Sequence, residues 1–243
     1  MAVTFSSIRK QRAYEQVLEQ IVGLISAGEL RPGDRLPPER VLSEMLGISR
    51  PSLREALRVL DAMGIIDART GNGAGAGTVI SDEPGDSLFT LMRLHLALSH
   101  FPVEDFLEVR RILETWTVRR AAAVRTDADI AALKSLVAAM DKSVSDREAF
   151  FALDAEFHIL IARIAGNNLV SYLMQAIRDA MTQEMNKLSD AWGNWEDLGA
   201  IAMSDHKRIV NSIAKGNTDA AERALADHLS TYGGRRQRPN GTG

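Results

Sequence analysis

The stretch RPGDRLPPERVLSEMLGISRPSLREALRVL, residues 31–60, decides how the first part of the chain folds. Its second half carries apolar residues at the spacing i, i+3, i+4 and i+7, namely Leu53, Ala56, Leu57 and Leu60. That spacing gathers the four side chains on one face of a helix and predicts that this face is buried. The positions between them are largely charged, so the opposite face of the same helix is expected to meet solvent.

The solvent face of this predicted helix is basic, because Arg50, Arg54 and Arg58 recur at every fourth position. The first two arginines lie in the N-terminal half of the helix. In helix–turn–helix proteins that half meets base edges in the major groove of DNA. Charged helix faces are often merely solvated, so the flanking elements must decide between the two interpretations.

The residues before this helix predict a second helix and a tight turn. Leu36–Glu39 opens the earlier helix with proline in its first turn, where a missing N–H costs nothing. Gly47 suits a left-handed helix end, and Ser49 suits the N-cap of the following helix. Together these signals predict a helix–turn–helix.

Two short strands are predicted after the helix pair, at 64–69 and 78–81. The turn between them, Thr70 to Gly77, contains four glycines. Glycine lets a backbone approach a minor groove or a phosphate closely, as the wing of a winged helix does. The whole order of elements, rather than the basic helix alone, predicts double-stranded DNA as a partner.

The segment LRPGDRLPPERVLSEMLGISRPSLREALRVLDAMGII resembles the winged-helix domain of GntR-family transcription regulators. This resemblance implies DNA contacts from Arg40, Arg50, Arg54 and Gly71, and Ser52 is expected to contact DNA with them. The wing sequence GNGAGAG is longer and richer in glycine than the short G-x-G typical of the family.

Length and composition indicate two domains. The chain has 243 residues, of which 45% are hydrophobic, enough for domains of roughly 80 and 150 residues. The net charge is −3, divided into +1 over residues 1–80 and −4 over the remainder. Positive charge is therefore local to the basic helix. Modest phosphate affinity per protomer favours a homodimer on the two half-sites of an inverted-repeat operator.

Several classes of protein are disfavoured by composition. The chain has no cysteine, which excludes disulfides and thiolate metal sites. It has no 18-residue apolar run, so no membrane span is predicted, and its N-terminus lacks the long apolar core of a signal peptide. A cytoplasmic location is expected.

The expected fold class is mainly α, with an N-terminal winged helix–turn–helix and a C-terminal antiparallel helical bundle. A packing helix from about Lys10 to Ala27 belongs to the first domain. The predicted boundaries are 1–80 for the DNA-binding domain, 81–87 for a linker, 88–232 for the bundle and 233–243 for a disordered tail. Seven bundle helices are predicted at 87–98, 102–123, 127–143, 147–165, 168–190, 196–215 and 218–232.

Histidines in the bundle suggest a second kind of site. Asp154 and His158 lie one turn apart on a predicted helix face, and His206 and His228 lie on two later helices. Three imidazoles and a carboxylate converging on one cation would suit Zn, Ni, Mn or Co. The plain alternative is that each histidine is an ordinary core or surface residue.

Three segments of the predicted bundle resemble the FCD effector domain of the FadR subgroup of GntR regulators: LDAEFHILIARIAGNN, DHKRIVNSIAKGN and ALADHL. The resemblance implies that Asp154, His158, His206 and His228 bind a divalent metal and that a small organic acid binds beside it. EVRRILE, residues 108–114, resembles a family segment whose arginine often faces the effector. Arg110 is the match, either as a carboxylate clamp or as a plain helix pair with Glu114.

Other residues receive ordinary structural roles. His95 and His100 are expected at a surface or interface, and Asn167 is expected to cap a turn. Packing roles are predicted for Trp116, Trp192, Met174, Met181 and Met185.

The function expected from these patterns is that of a ligand-responsive repressor that is not an enzyme. The organic acid is expected to release the protein from DNA. Two alternatives stay open. One is a metal-dependent hydrolase, because three histidines and an aspartate with an open position could activate water. The other is a DNA-binding protein without any ligand.

Overall fold

The computed structural model describes residues 12–69, 77–83, 85–98, 100–189 and 195–233. The chain divides into two compact units, Met1–Leu88 and Phe89–Gly243. Each unit has its own hydrophobic core.

The first unit is a winged helix–turn–helix. It contains α1 (Ala13–Ser26), α2 (Glu39–Leu46), α3 (Arg50–Ala62), β1 (Ile66–Arg69) and β2 (Gly77–Ile80). The strands pair antiparallel, with Ile66 opposite Ile80. The segment before α2 joins the edge of β2, because Leu36 N donates to Thr78 O at 2.9 Å.

The buried face of α3 is the predicted one, since Leu53, Ala56, Leu57 and Leu60 all lie in the core of the unit. The turn before α3 also has the predicted chemistry. Gly47 ends α2 with a left-handed φ of 63°, and Ser49 Oγ accepts a hydrogen bond from Ser52 N at 3.3 Å. The apolar spacing and the cap therefore fix the orientation of the helix.

The segment after β2, predicted to be a linker, is fastened to the turn between α3 and β1. Ser81 N donates to Ile65 O and Ser87 Oγ donates to Met63 O, each at 2.9 Å. Gly64 and Gly85 pack backbone to backbone, so closely that a Cβ on Gly64 would lie 2.7 Å from the Gly85 Cα. Gly64 also has a φ of 71°, which favours glycine. In the described residues, this segment is therefore docked on the winged unit.

The second unit is a bundle of seven helices within the described residues, and each helix boundary that does not adjoin an undescribed residue lies within one residue of its predicted position. The helices are α4 (Ser87–Ala97), α5 (Val103–Val124), α6 (Asp127–Lys142), α7 (Arg147–Ile164), α8 (Asn168–Ser189), α9 (Trp195–Ala214) and α10 (Thr218–Gly233). Helices α5, α6, α7, α9 and α10 enclose the main core, which includes Phe150 and Phe157.

Most of the ordinary structural roles are confirmed. Asn167 Oδ1 accepts from Val170 N at 3.1 Å and caps α8, while Met174 and Met181 are buried.

Trp116 was predicted to pack inside, and that prediction is wrong, because the side chain is 44% exposed on α5. His95 and His100 are exposed, with their Nδ1 atoms 2.8 Å apart. The Met185 side chain, Trp192 and residues 234–243 lie outside the described parts.

No helix in the described part of the chain is long and apolar enough to cross a membrane.

Candidate DNA-reading surface and candidate metal centre

The outer face of α3 presents its arginines to solvent. Arg50, Arg54 and Arg58 are all exposed, while the opposite face of the helix is buried. Ser52 lies in the first turn, where its Oγ contacts the Ser49 Oγ at 2.8 Å. A helix held by its apolar face and exposing arginines near its N-terminus has the shape needed for insertion into a major groove.

Two of the arginines predicted to contact DNA, Arg54 on α3 and Arg40 on α2, form ion pairs with carboxylates. Arg54 Nε donates to Glu39 Oε2 at 3.1 Å, and Arg40 Nη1 donates to Glu44 Oε1 at 2.8 Å. Exposed pairs of this kind contribute little to stability, so phosphates or base edges can replace the carboxylates at small cost. Gly71, the remaining residue predicted to contact DNA, lies outside the described residues.

The bundle brings four potential metal ligands together from three helices. Asp154 and His158 lie one turn apart on α7, His206 lies in the middle of α9, and His228 lies near the end of α10. All four residues are buried, and their ligand atoms lie within 4.8 Å of one another. The three histidines and Asp154 therefore form one buried group rather than four separate surface positions.

The ligand atoms face each other closely. Asp154 Oδ1 lies 2.9 Å from His206 Nε2 and 3.6 Å from His158 Nε2, and the Nε2 atoms of His158 and His228 are 3.2 Å apart. Two donors about 2.0–2.1 Å from a tetrahedral zinc ion are separated by roughly 3.3 Å. The group thus has the spacing of a coordination shell.

Two of the converging ligand atoms have no hydrogen-bond partner that would account for their burial. Within the described residues, neither Asp154 Oδ1 nor His206 Nε2 has a well-aligned hydrogen-bond partner. Buried polar atoms without partners are costly, and most have an identifiable reason. Oxygen and nitrogen lone pairs that converge on one point have such a reason if they bind a metal ion, so these residues fit a divalent cation.

Burial and neighbouring charges favour the metal-binding forms of Asp154, His206 and His228. Burial lowers the pKa of His206, and burial together with His206 and His158 holds the pKa of His228 well below its usual range. Burial alone would raise the pKa of Asp154, but His158 and Arg178 outweigh it and hold that pKa well below its usual range. Neutral imidazoles and an ionised carboxylate are the states required of metal ligands.

Two buried residues that the sequence patterns did not single out as ligand supports surround this group. Arg178, from α8, donates to Asp154 Oδ2 at 2.8 Å and to Glu114 Oε1 at 2.7 Å. Glu114, from α5, also places its Oε2 at 2.9 Å from His158 Nδ1. Arg178 could have been found from the sequence, because it is a charged residue within the apolar stripe of α8, between Met174 and Met181.

Arg110 forms the helix pair that was one of its two predicted roles, with Nε donating to Glu114 Oε1 at 2.6 Å. Both side chains of the pair are almost completely buried. Arg110, Arg178 and His158 together hold the pKa of Glu114 well below its usual range, although burial alone would raise it. Glu114 is therefore an ionised carboxylate at the centre of a buried network.

Comparisons with known families and proteins agree with this architecture. Residues 13–75 match the model of "Bacterial regulatory proteins, gntR family", and residues 105–231 match the FCD domain. The HTH-type transcriptional regulator LutR of Bacillus subtilis (strain 168) is 30% identical over 208 residues, covering 85% of this chain and 93% of that protein. The HTH-type transcriptional repressor NanR of Edwardsiella tarda (strain FL6-60) is 30% identical over 227 residues, covering 91% and 84%.

Solved structures show the same two-part fold. A Streptococcus agalactiae GntR protein has a TM-score of 0.63 and 27% identity, covering 93% of this chain and 100% of that one. The E. coli protein McbR/YncC has a TM-score of 0.51 and 18% identity, a likeness of fold alone.

A winged helix–turn–helix joined to a helical bundle with a buried Asp/His group defines a class of two-domain DNA-binding regulators. The chain belongs to the GntR family of bacterial regulatory proteins and carries an FCD domain. It is accordingly a ligand-responsive transcription regulator, which the family supports over the hydrolase and the ligand-free alternatives.

Proposed function

We propose that the protein is a cytoplasmic, homodimeric repressor that reads an inverted-repeat operator and leaves it when a small organic acid binds beside a metal ion in the bundle. The observation that carries this proposal is the buried Asp154–His158–His206–His228 group. A plain architectural protein has no need to bury four converging ligands. The relatives named repressors, such as NanR, support the negative sign of regulation.

The proposed DNA contacts divide into two kinds. Arg50 and Arg54, with Ser52 between them, are proposed to reach base edges and nearby phosphates from the start of α3. Arg40, from α2, is proposed to bind a DNA phosphate. Gly71 is proposed to let the wing approach the sugar–phosphate backbone of the DNA. Guanine is the favoured base partner, because arginine forms a bidentate pair with its O6 and N7 atoms.

The proposed metal ligands are Asp154, His158, His206 and His228, and the donor set suits Zn, Ni or Mn. A divalent cation would supply a Lewis-acidic position able to hold an effector carboxylate. Arg110 is the proposed second contact for that carboxylate, because its guanidinium is buried in the same network. Binding the acid at Arg110 would compete with Glu114 for the guanidinium.

The proposed dimer uses the outward face of α5. Val109, Ile112 and Trp116 follow one another at helical spacing on this face and are 45%, 59% and 44% exposed. Large apolar side chains grouped on a surface commonly mark an interaction site. A second copy of the chain is the occupant that the two half-sites of an operator require.

Charges along α5 suit an antiparallel second copy. Near its N-terminus α5 carries three acidic residues and near its C-terminus two arginines, with one exposed arginine beside the centre: Glu104, Asp105, Glu108, Arg119, Arg120 and Arg111. An antiparallel copy centred near Ile112 would bring the acidic end of one helix beside the basic end of the other. Complementary ends favour that register over a parallel one.

A direct experiment follows the melting temperature of the purified protein in a screen of small organic acids, with and without a chelator. The proposal predicts that at least one acid raises the melting temperature only when metal is present. Operator candidates come from the DNA upstream of its own gene and its neighbours. A screen with no metal-dependent stabilisation would contradict the effector part of the proposal and leave DNA binding untouched.

A further inference from the structure

Glu114 contacts one candidate ligand, His158, directly and a second, Asp154, through Arg178. Its Oε2 lies 2.9 Å from His158 Nδ1, and its Oε1 accepts from Arg178 Nη2 at 2.7 Å. Arg178 in turn donates through Nη1 to Asp154 Oδ2 at 2.8 Å. One carboxylate on α5 is thereby linked to two candidate ligands on α7.

We propose that Glu114 is the positioning residue of the metal centre: it fixes the tautomer of His158 directly and the rotamer of Asp154 through Arg178. The inference rests on the metal binding proposed above. It assigns to α5, which supplies no ligand, the orientation of half of the ligand set. Arg110 completes the arrangement by donating to Glu114 Oε1 at 2.6 Å.

The direct route acts on the histidine ring. A carboxylate at Nδ1 requires the proton of neutral His158 to reside on Nδ1, so that the Nε2 lone pair points away from Glu114. That Nε2 atom is the one 3.2 Å from His228 Nε2 and 3.6 Å from Asp154 Oδ1. Glu114 Oε2 and His158 Nδ1 are within hydrogen-bond distance, but the contact is not well aligned. The test therefore includes a direct measurement of the proton on His158 Nδ1.

The indirect route acts on the aspartate. Arg178 occupies Oδ2 of Asp154, which leaves Oδ1 to face the histidines. The guanidinium fork reaches both carboxylates from separate nitrogens, so Glu114 and Asp154 hold Arg178 in one orientation. Outer residues of this kind orient ligands, and their loss typically weakens metal binding 10–100-fold.

The substitution Glu114→Gln tests the idea with little change of shape. If the amide oxygen faces the two arginines, the NH₂ group faces His158 Nδ1 and forces the ring proton onto Nε2, where it blocks metal binding. If the amide oxygen faces His158, the NH₂ group meets two guanidinium donors. Neither orientation preserves both contacts of Glu114.

The experiment measures zinc affinity of the full chain by competition with a chelating dye, and folding by circular dichroism. We expect Glu114→Gln to bind zinc at least 10-fold more weakly than wild type while remaining folded. The control is Glu148→Gln, an exposed glutamate in the first turn of α7, which should bind zinc like wild type. Folded Glu114→Gln with zinc affinity within twofold of wild type would overturn the positioning role.

A wild-type measurement keeps the test independent of how well the variant folds. Long-range ¹H–¹⁵N spectra of zinc-loaded protein with labelled histidine report which ring nitrogen carries the proton, with His158 assigned from the spectrum of His158→Asn. We expect a proton on Nδ1 of His158 and metal on Nε2. The opposite tautomer would overturn the inference, whereas wild-type protein that binds no zinc would instead refute the metal site itself.

Discussion

His206 Nε2 lies 2.9 Å from Asp154 Oδ1, although the two residues belong to different helices, α9 and α7. Neither atom has a well-aligned hydrogen-bond partner among the described residues. A buried nitrogen and a buried carboxylate oxygen at this distance, with two more imidazoles beside them, are positioned to share a cation. The metal centre proposed here is built on this relationship.

Removing one ligand should lower metal content and stability together. We expect His206→Ala to purify with less bound metal and to melt at a lower temperature than wild type. A ligand present at 100 times its Kd stabilises a fold by about 2.7 kcal/mol, which the variant would lose. Elemental analysis and thermal melts measure the two effects. His95→Ala, at an exposed histidine, is the control and should match wild type in both.

Base reading by Arg54 should be separable from phosphate anchoring. We expect Arg54→Ala to lose roughly 1–3 kcal/mol of affinity for the operator and to relax preference at one base position. Arg40→Ala should weaken operator and random DNA alike, because a phosphate contact carries no sequence information. Fluorescence anisotropy on both DNAs measures this. Equal losses of Arg54→Ala on operator and random DNA would remove its base-reading role.

The close packing of Gly64 and Gly85 should make the winged unit sensitive to a single methyl group. We expect Gly85→Ala to destabilise the protein, because the new Cβ would lie 2.8 Å from the Gly64 Cα. Overpacking of a close contact costs typically 1–3 kcal/mol. Denaturant unfolding measures the change. The control is Gly23→Ala in α1, where a Cβ meets nothing within 4 Å and alanine should be neutral or stabilising.

The proposed dimer should depend on the apolar stripe of α5. We expect Ile112→Glu to be monomeric in sedimentation and to bind a two-half-site operator far more weakly, because a carboxylate would be buried at the interface. Leu169→Glu, at a residue 67% exposed on α8, should remain a dimer. A dimeric Ile112→Glu would place the interface elsewhere, and a monomeric wild type would refute dimerisation itself.

Local sequence signals predicted the helices well. The i, i+3, i+4 spacing on α3, the Ser49 cap and the Gly47 stop are all contained within a few residues, so they could be recognised without a structure. The bundle helices were equally clear because short polar or glycine breaks separate them. Asp154 and His158 share a helix face, but His206 and His228 could be grouped with them only through resemblance to the FCD domain.

Other features depend on contacts between distant segments. Glu114 looked like the partner of Arg110 because they lie four residues apart, whereas its contacts with His158 and Arg178 join α5 to α7 and α8. Trp116 was misplaced because helical spacing does not tell an apolar core face from an apolar surface face. The docking of Ser81, Gly85 and Ser87 on the turn between α3 and β1 depends on contacts with residues that no local sequence pattern pairs with them.

We propose that acid binding at the metal centre and operator binding are coupled. The most direct measurement titrates operator-bound, metal-loaded protein with the organic acid that raises its melting temperature most, and follows DNA affinity by anisotropy. We expect saturating acid to weaken DNA binding by about 1–3 kcal/mol, and operator DNA to weaken acid binding by the same factor. Unchanged DNA affinity at saturating acid would contradict it.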